Sequence, residues 1–236
     1  MDAETAALFP ATFHPSLFGS LPEGWSGTQL GGELEVLEVG SRPKGGAVSD
    51  GVPSIGAESI VGLGWFDYSK TKYVPLEFFL KMGRGLAKSG DVLVYKDGGR
   101  PGEYEPHVTI FGDGFPFERC CINEHVYRVR AKSGLGQPYL YFWLTATFSL
   151  DQMRIRGTGV AVPGLNSTAF RSLPLLLPKH GVCEAFNASA VPFLSAVFQN
   201  CNQSRTLTSL RDALLPKLLS GELRIRDAEK MVEAHV

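Results

Sequence analysis

The stretch LRDALLPKLLSGELRIR, Leu210–Arg226, follows a polar run, QNCNQSRTLTS, Gln199–Ser209. Across these segments and just before them, apolar side chains recur at Phe193, Val197, Cys201, Leu207, Leu210, Leu214 and Leu218. Gaps of mostly three and four place them on one stripe of a helix. A striped helix that follows a complete globular domain needs a partner surface, so the stretch predicts an assembly element. The competing reading is a helix that folds back and completes the domain core. The polar run favours pairing, because Asn200 or Ser204 on an apolar seam costs stability yet fixes register between helices.

Working outward, Gly181–Ala190 is expected to form one or two helical turns before Pro192, with a longer helix from Pro192 to about Leu215. Pro216 lacks a backbone donor and is expected to break or kink it. Gly221 suits the helix end, and Asp227–Val236 reads as a polar, frayed tail. Upstream, Ser172–Pro178 is a Leu/Pro-rich exit strand that marks a boundary.

From Gln29 to Val129 the pattern is strand-like. Short apolar or alternating runs at Leu34–Val39, Ser59–Val61, Val92–Tyr95, His107–Ile110 and His125–Val129 are separated by Gly, Pro and Asp clusters. This spacing favours a curled, mixed or antiparallel sheet over a regular alternation of strands and helices. Two helices interrupt it. Val74–Met82 has Pro75 in its first turn and Phe78, Phe79 and Met82 toward the core. Gln137–Met153 begins near Pro138 and packs through Leu140, Trp143, Leu144 and Phe148. At the start, Met1–Pro10 is acidic and Ala-rich enough for a short helix, and Thr12–Leu21 reads as a linker ahead of the anchoring Trp25. The expected class is α+β: a mixed or antiparallel curled sheet with helices, then a long C-terminal helix.

Length and composition agree with one large domain plus an appendage: 236 residues, 44% hydrophobic and 20% charged. No unbroken run of eighteen apolar residues occurs and the N-terminus lacks a secretory pattern, so neither membrane span nor signal is expected. Four cysteines without framework spacing point to reduced thiols in a cytoplasm. The net charge of −1 by itself would not suggest nucleic acid.

The chemistry-bearing motifs are mostly absent. There is no GxxxxGK[ST] phosphate loop, no GxGxxG, no Asn-Pro-Pro-aromatic tetrapeptide of the adenine methyltransferases and no GxSxG elbow. The Gly62/Gly64 and Gly157/Gly159 pairs read as turns. Cys120, Cys121 and His125 invite a metal reading, yet adjacent strand residues point to opposite faces and no second ligand pair has zinc-finger spacing. No catalytic or metal-ligating set is therefore assigned.

TLTSLRDALLPKLLSGEL (Thr206–Leu223) resembles the distal conserved region of type I restriction–modification specificity subunits. MDAETAALFP (Met1–Pro10) and LPEGW (Leu21–Trp25) resemble the segment leading into a target recognition domain of that family. GDVLVYKDGGRPGE (Gly90–Glu103), NEHVYRVR (Asn123–Arg130), QPYLYFWL (Gln137–Leu144) and GTGVAVPGLNSTAFRSLPLLLP (Gly157–Pro178) fall in the order of one such domain. Full-length members carry two recognition domains; this chain has one.

The resemblance implies an arm at 1–20, a recognition domain at 21–178, a distal helical region at 179–226 and a tail at 227–236. It implies a noncatalytic DNA specificity subunit, or half of one, that reads half of a bipartite double-stranded target and docks methyltransferase subunits. S-adenosylmethionine would then belong to the methyltransferase, and ATP with Mg to a restriction/translocase subunit, with no cofactor in this chain. A head-to-tail homodimer through the helices would restore the two-domain layout.

Loop chemistry supplies the candidate DNA contacts. In KDGGRPGE (Lys96–Glu103), Lys96 and Arg100 flank glycines that let the backbone approach a phosphate or base edge, and Arg100 has the fork for guanine. VGSRPKGG (Val39–Gly46) adds Arg42 and Lys44. Lys70, Lys72, Arg84 and Lys88 suit phosphates, which position without specifying. Arg154 and Arg156, in RIRGTG, stand at a helix end. Two other readings stay open: a small α/β enzyme with a Gly-rich substrate loop, and an orphan half-subunit that only binds partners. The enzyme reading requires a buried titratable cluster and a concave pocket beside Asp97–Gly102.

Overall fold

The computed structural model describes residues 3–64 and 68–233. Residues 1–2 of the N-terminal arm and 234–236 of the tail lie outside the described residues. The chain opens with α1 (Ala3–Ala7), a hairpin of β1 (Phe13–Ser16) and β2 (Gly19–Pro22), then β3 (Ser26–Gln29) and β4 (Leu34–Val39). Next come β5 (Val52–Ile55), β6 (Lys72–Val74), α2 (Leu76–Lys81), β7 (Val92–Tyr95), β8 (Gly99–Arg100), β9 (Glu103–Tyr104) and β10 (Val108–Ile110). After β11 (Cys121–Ile122) and β12 (Val126–Ala131) the chain turns helical: α3 (Gln137–Thr145), α4 (Thr147–Arg156) and α5 (Ser167–Arg171). It ends in β13 (Pro174–Leu177), α6 (His180–Leu219) and α7 (Ile225–Glu233).

The central sheet is fully antiparallel, in the order β10-β7-β12-β4. Its strands alternate between two cores, as the period of two demands. On β7, Val92 and Val94 enter the main core with Tyr127, Val129, Leu140 and Leu144, whereas Leu93 enters a second core with Val126, Ile122 and Phe111. That double burial explains why VLVY reads as an unbroken apolar run. A smaller mixed sheet, β11-β5-β6, pairs β11 parallel to β5 and closes the second core. Strand β13 pairs with β3, which ties the exit of the domain to its entrance.

The class is thus α+β, with small antiparallel and mixed sheets and a long C-terminal helix, as expected from the sequence. Several local expectations need correction. Thr12–Leu21 is not a linker but mostly hairpin, Phe13 pairing with Pro22 and Ser16 with Gly19. Ser59–Val61 is not a strand: Ser59 closes a 3-10 turn, Ala57–Ser59. Gln137–Met153 is two helices, because Ala146 adopts an extended backbone (φ −63°, ψ 142°) between them. Of the packing residues expected there, Leu140 and Leu144 are fully buried, while Phe148 stays 44% exposed. Residues 227–233 are helical rather than frayed. Gly221 does close α6, with φ +75° and its amide bonded to Leu218 O.

The largest correction concerns α6. It runs unbroken for 40 residues, with Pro192 and Pro216 inside it. Each proline forfeits one amide hydrogen bond, and the neighbouring turns hold the helix through both. Its first 26 residues are seated on the domain by a seam at Cys183, Asn187, Ala190, Leu194, Phe198, Cys201 and Arg205. Cys183 and Leu194 belong to the main core, and Phe198 packs against it. Asn187 clamps the start of α3: its Oδ1 accepts from Tyr139 N and its Nδ2 donates to Leu135 O, both at 2.9 Å. Gly136, at φ +83°, leaves the space that this amide fills. Arg205 donates to Gly114 O. Beyond Arg205 the helix leaves the core, and Leu207, Leu215 and Leu219 are half-exposed or more. Those fourteen residues extend about 21 Å. By length and composition α6 is apolar enough to cross a membrane, which a search for unbroken apolar runs misses.

Candidate nucleic-acid interface

Three loops leave the same end of the central sheet. Val126 pairs with Tyr95, and Tyr127 with Val39, so the segments after β4, after β7 and before β12 start side by side. Backbone bonds fix them: Lys96 N to His125 O at 2.9 Å and Gly40 N to Asn123 O at 3.2 Å. A fourth loop, 157–165, joins through Leu165 N to Lys96 O at 2.8 Å and Gly98 N to Pro163 O at 2.7 Å. Two tyrosines brace the base. Tyr127 donates to Leu165 O at 2.9 Å, and the buried Tyr104 donates to Tyr95 O. Burial pushes both phenols upward in pKa, Tyr127 to about 12, so they remain protonated donors.

A chain of charges crosses this edge. Arg42 pairs with Glu124 at 2.9 Å; Glu124 lies 3.4 Å from His125 Nε2; His125 Nδ1 meets Asp97 at 2.7 Å; Asp97 pairs with Lys96 at 2.6 Å. Lys72 joins from the side through Glu58, at 3.1 Å. Burial alone would raise Glu58, but its own amide and Lys72 hold it below the ordinary glutamate range, and His125 adds to this. The sequence reading missed Asp97, Glu124 and Glu58, the acids that neutralise three of its chosen cations. Acidic residues in loops carry no local signal of which base they will meet.

Of the ten candidate contacts, Arg42, Lys72, Lys96 and Arg100 converge here, with Lys44 on the Arg42 loop. Arg100 is exposed at the tip of the β8–β9 hairpin and has no ion pair among the described residues. Gly98 and Gly99 shape that tip: they sit at φ +149° and +123°, and a side chain on them would strike the Tyr95 hydroxyl and Glu103 O. Lys88 stands elsewhere. It precedes β7 whereas Lys96 follows it, so about 13 Å of strand separates them. Arg84 flanks Gly85, whose amide binds Glu38 at 3.0 Å. Lys70 lies on the turn whose Tyr68 packs against Phe115 and Phe117. Arg154 pairs with Asp151 at 2.8 Å, and Arg156 bonds to Gln152 in a hollow lined by Phe18 and Phe148.

The proposed assembly stripe is divided in the same way. Val197 and Cys201 lie against the chain's own Gly64, while Phe193 is 72% exposed. Leu207 is exposed, and Leu210, Leu214 and Leu218 are half-buried.

The titratable groups beside Asp97 are partly open to solvent. Five surface hollows are lined by other residues. Cys120 and Cys121 point into different cores, one with Ile55 and Phe111, the other with Val52 and Val74. Burial raises both thiols in pKa.

The fold is thus a four-stranded sheet with a loop cluster at one end, packed on a helix that runs past the domain. No family model matches the chain. The chain is 22% identical to the MjaIX type I restriction enzyme specificity subunit of Methanocaldococcus jannaschii, across 91% of this chain and 48% of that protein. It is 31% identical to the HindI type I specificity subunit of Haemophilus influenzae over 65 residues, 28% of this chain and 14% of that one. The S subunit of a type I restriction–modification system from M. genitalium has a similar fold (TM-score 0.54, 12% identity, 84% of this chain and 46% of that one). The chain spans less than half the length of each of these proteins. Its resemblance to type I specificity subunits, stated above from motifs, therefore holds across nearly all of its residues.

Proposed function

We propose that the chain is a noncatalytic DNA specificity component of a type I restriction–modification system. The observation that carries this is its similarity to the M. jannaschii specificity subunit over 91% of its length. The loop cluster supports it: Arg100 is held unpaired at a stiff tip, the form in which an arginine fork reads guanine in the major groove.

In this reading residues 21–178 form one target recognition domain, led by the 1–20 arm, and read one half of a bipartite double-stranded site. The 179–226 helical region docks methyltransferase subunits. The methyltransferase brings S-adenosylmethionine, and a restriction/translocase subunit brings ATP and Mg. Two copies paired through their helices give a symmetric reader, in the cytoplasm where such DNA lies. Because Arg42, Lys72 and Lys96 are matched by acids, partner subunits supply most phosphate contacts and the isolated chain binds DNA weakly.

The test is co-expression with the partner methyltransferase subunit and mapping of methylated adenines in host DNA. A bipartite motif that disappears with Arg100→Ala supports the assignment, and a symmetric motif supports the homodimer. Stable association without methylation points to an interaction-only half-subunit. Neither methylation nor association sinks the assignment.

A further inference from the structure

Resting on that reading, we infer that Val160 is a specificity-determining residue that contacts a thymine 5-methyl group, in the base-pair step read by Arg100. Residues 155–162 carry three β-branched apolar side chains in water: Ile155 is 74% exposed, Val160 85% and Val162 65%. A single exposed valine is ordinary on a protein surface. This one is distinguished by what holds it. Thr158 and Gly164 exchange backbone bonds at 2.9 and 2.7 Å, closing a short loop with Val160 near its apex. Gly102 N then donates to Val160 O at 2.9 Å, and Gly98 N to Pro163 O at 2.7 Å, so the loop is stitched to the β8–β9 hairpin.

Buried Pro163 and Leu165 root the loop. Gly164 packs so closely on Asp97 that a side chain there would lie 2.6 Å from the Asp97 Cβ. Arg100 and Val160 therefore flank one turn, Arg100 on the strand that enters it and Val160 bonded through its carbonyl to Gly102 within it. The major groove offers the matching pair of features, guanine O6 and N7 acceptors and the thymine methyl, and a valine is short enough to touch the methyl only from a rigid support. An apolar protein partner would also accept a valine, but it would leave the adjacent unpaired arginine unmatched. The charge favours DNA.

The experiment uses the full chain with its methyltransferase partner and duplexes carrying the mapped target. Each thymine is replaced in turn by deoxyuridine, which removes only the 5-methyl. Binding is expected to fall about fourfold at one position, the effect of one buried methyl. Val160→Ala should weaken binding to the thymine duplex by a similar factor and be indifferent to deoxyuridine there. Indifference of the unaltered protein to every deoxyuridine, or retained sensitivity in Val160→Ala, overturns the inference while leaving sequence-specific binding intact. A mapped half-site without a T·A pair overturns it too. If Val160→Ala instead impairs only association with the methyltransferase, the tip is a protein contact and the inference fails. Loss of all sequence preference in the unaltered protein removes the underlying reading as well.

Discussion

Two chains of arginine and carboxylate groups run through the molecule, one sealed against the central sheet and one open at its edge. The sealed chain centres on the buried pair Asp91 and Arg128 Nε, 2.5 Å apart, and reaches the surface at its two ends, where Arg130 Nε lies 2.5 Å from Asp91 and Arg128 meets Glu38 at 2.9 Å. Burial would lower Arg128, yet its bonds and charges with Asp91 and Glu38 hold it above the ordinary arginine range. In the open chain the same chemistry links Arg42, Glu124, His125, Asp97 and Lys96, with side chains 19–41% exposed. The difference teaches what each is for. A sealed pair cannot be exchanged for water without a large cost, so it fixes strand register between β4, β7 and β12. An open pair is worth little to the fold and can be traded for a phosphate.

The largest expected effect comes from breaking the sealed chain. Asp91→Ala leaves the buried Arg128 and the partly exposed Arg130 without their shared carboxylate and removes the acceptor for the Lys88 amide. It should destabilise the chain by about 3–5 kcal/mol in urea unfolding. A loss under about 1 kcal/mol would show that water already reaches the site and that the comparison is mistaken.

The two parts of α6 offer a second contrast of the same kind, docked against projecting. Leu194 is a core residue and Leu207 is half-exposed. Leu194→Ala should cost about 2–4 kcal/mol, whereas Leu207→Ser should stay within about 0.5 kcal/mol for the isolated chain. Sedimentation of the same pair tests the projecting half: Leu207→Ser should weaken self-association or methyltransferase docking, and Leu194→Ala should not. Equal destabilisation by both would place residues 206–219 on the domain after all.

How much of this was legible depends on how local the signal is. LEVLEV and VLVY announced β4 and β7 because alternation and double burial leave their marks within one strand. FHPS and GSLP did not announce β1 and β2, since a short strand with proline looks like a linker until its partner is seen. In QPYLYFWLTATFSL nothing marks the break at Ala146, because neither Gly nor Pro stands between Tyr139 and Leu150. Pro192 and Pro216 mislead as helix breakers, because a proline removes one bond of a helix that its neighbouring turns and packing hold. The site was legible by type and not by arrangement. Arg100 could be chosen from its glycine-rich loop, but the stitching of that loop to 157–165 joins residues about sixty positions apart and leaves no trace in either segment.

The smallest expected effect lies in the open chain, and it is the most informative about function. Glu124 holds Arg42 on one side and meets His125 on the other. Glu124→Gln keeps the shape and removes the charge, freeing Arg42. Because these groups are partly exposed, unfolding should move by less than about 1 kcal/mol. Nonspecific DNA binding should nevertheless tighten a fewfold at low salt, and the slope of log affinity against log salt should steepen by nearly one, as for one added phosphate contact. The preferred sequence should not change, since phosphates position and bases specify. A steeper slope with altered preference would instead place Arg42 on a base edge. An unchanged slope would remove Arg42 from the interface and shrink the DNA-facing edge to the Arg100 tip.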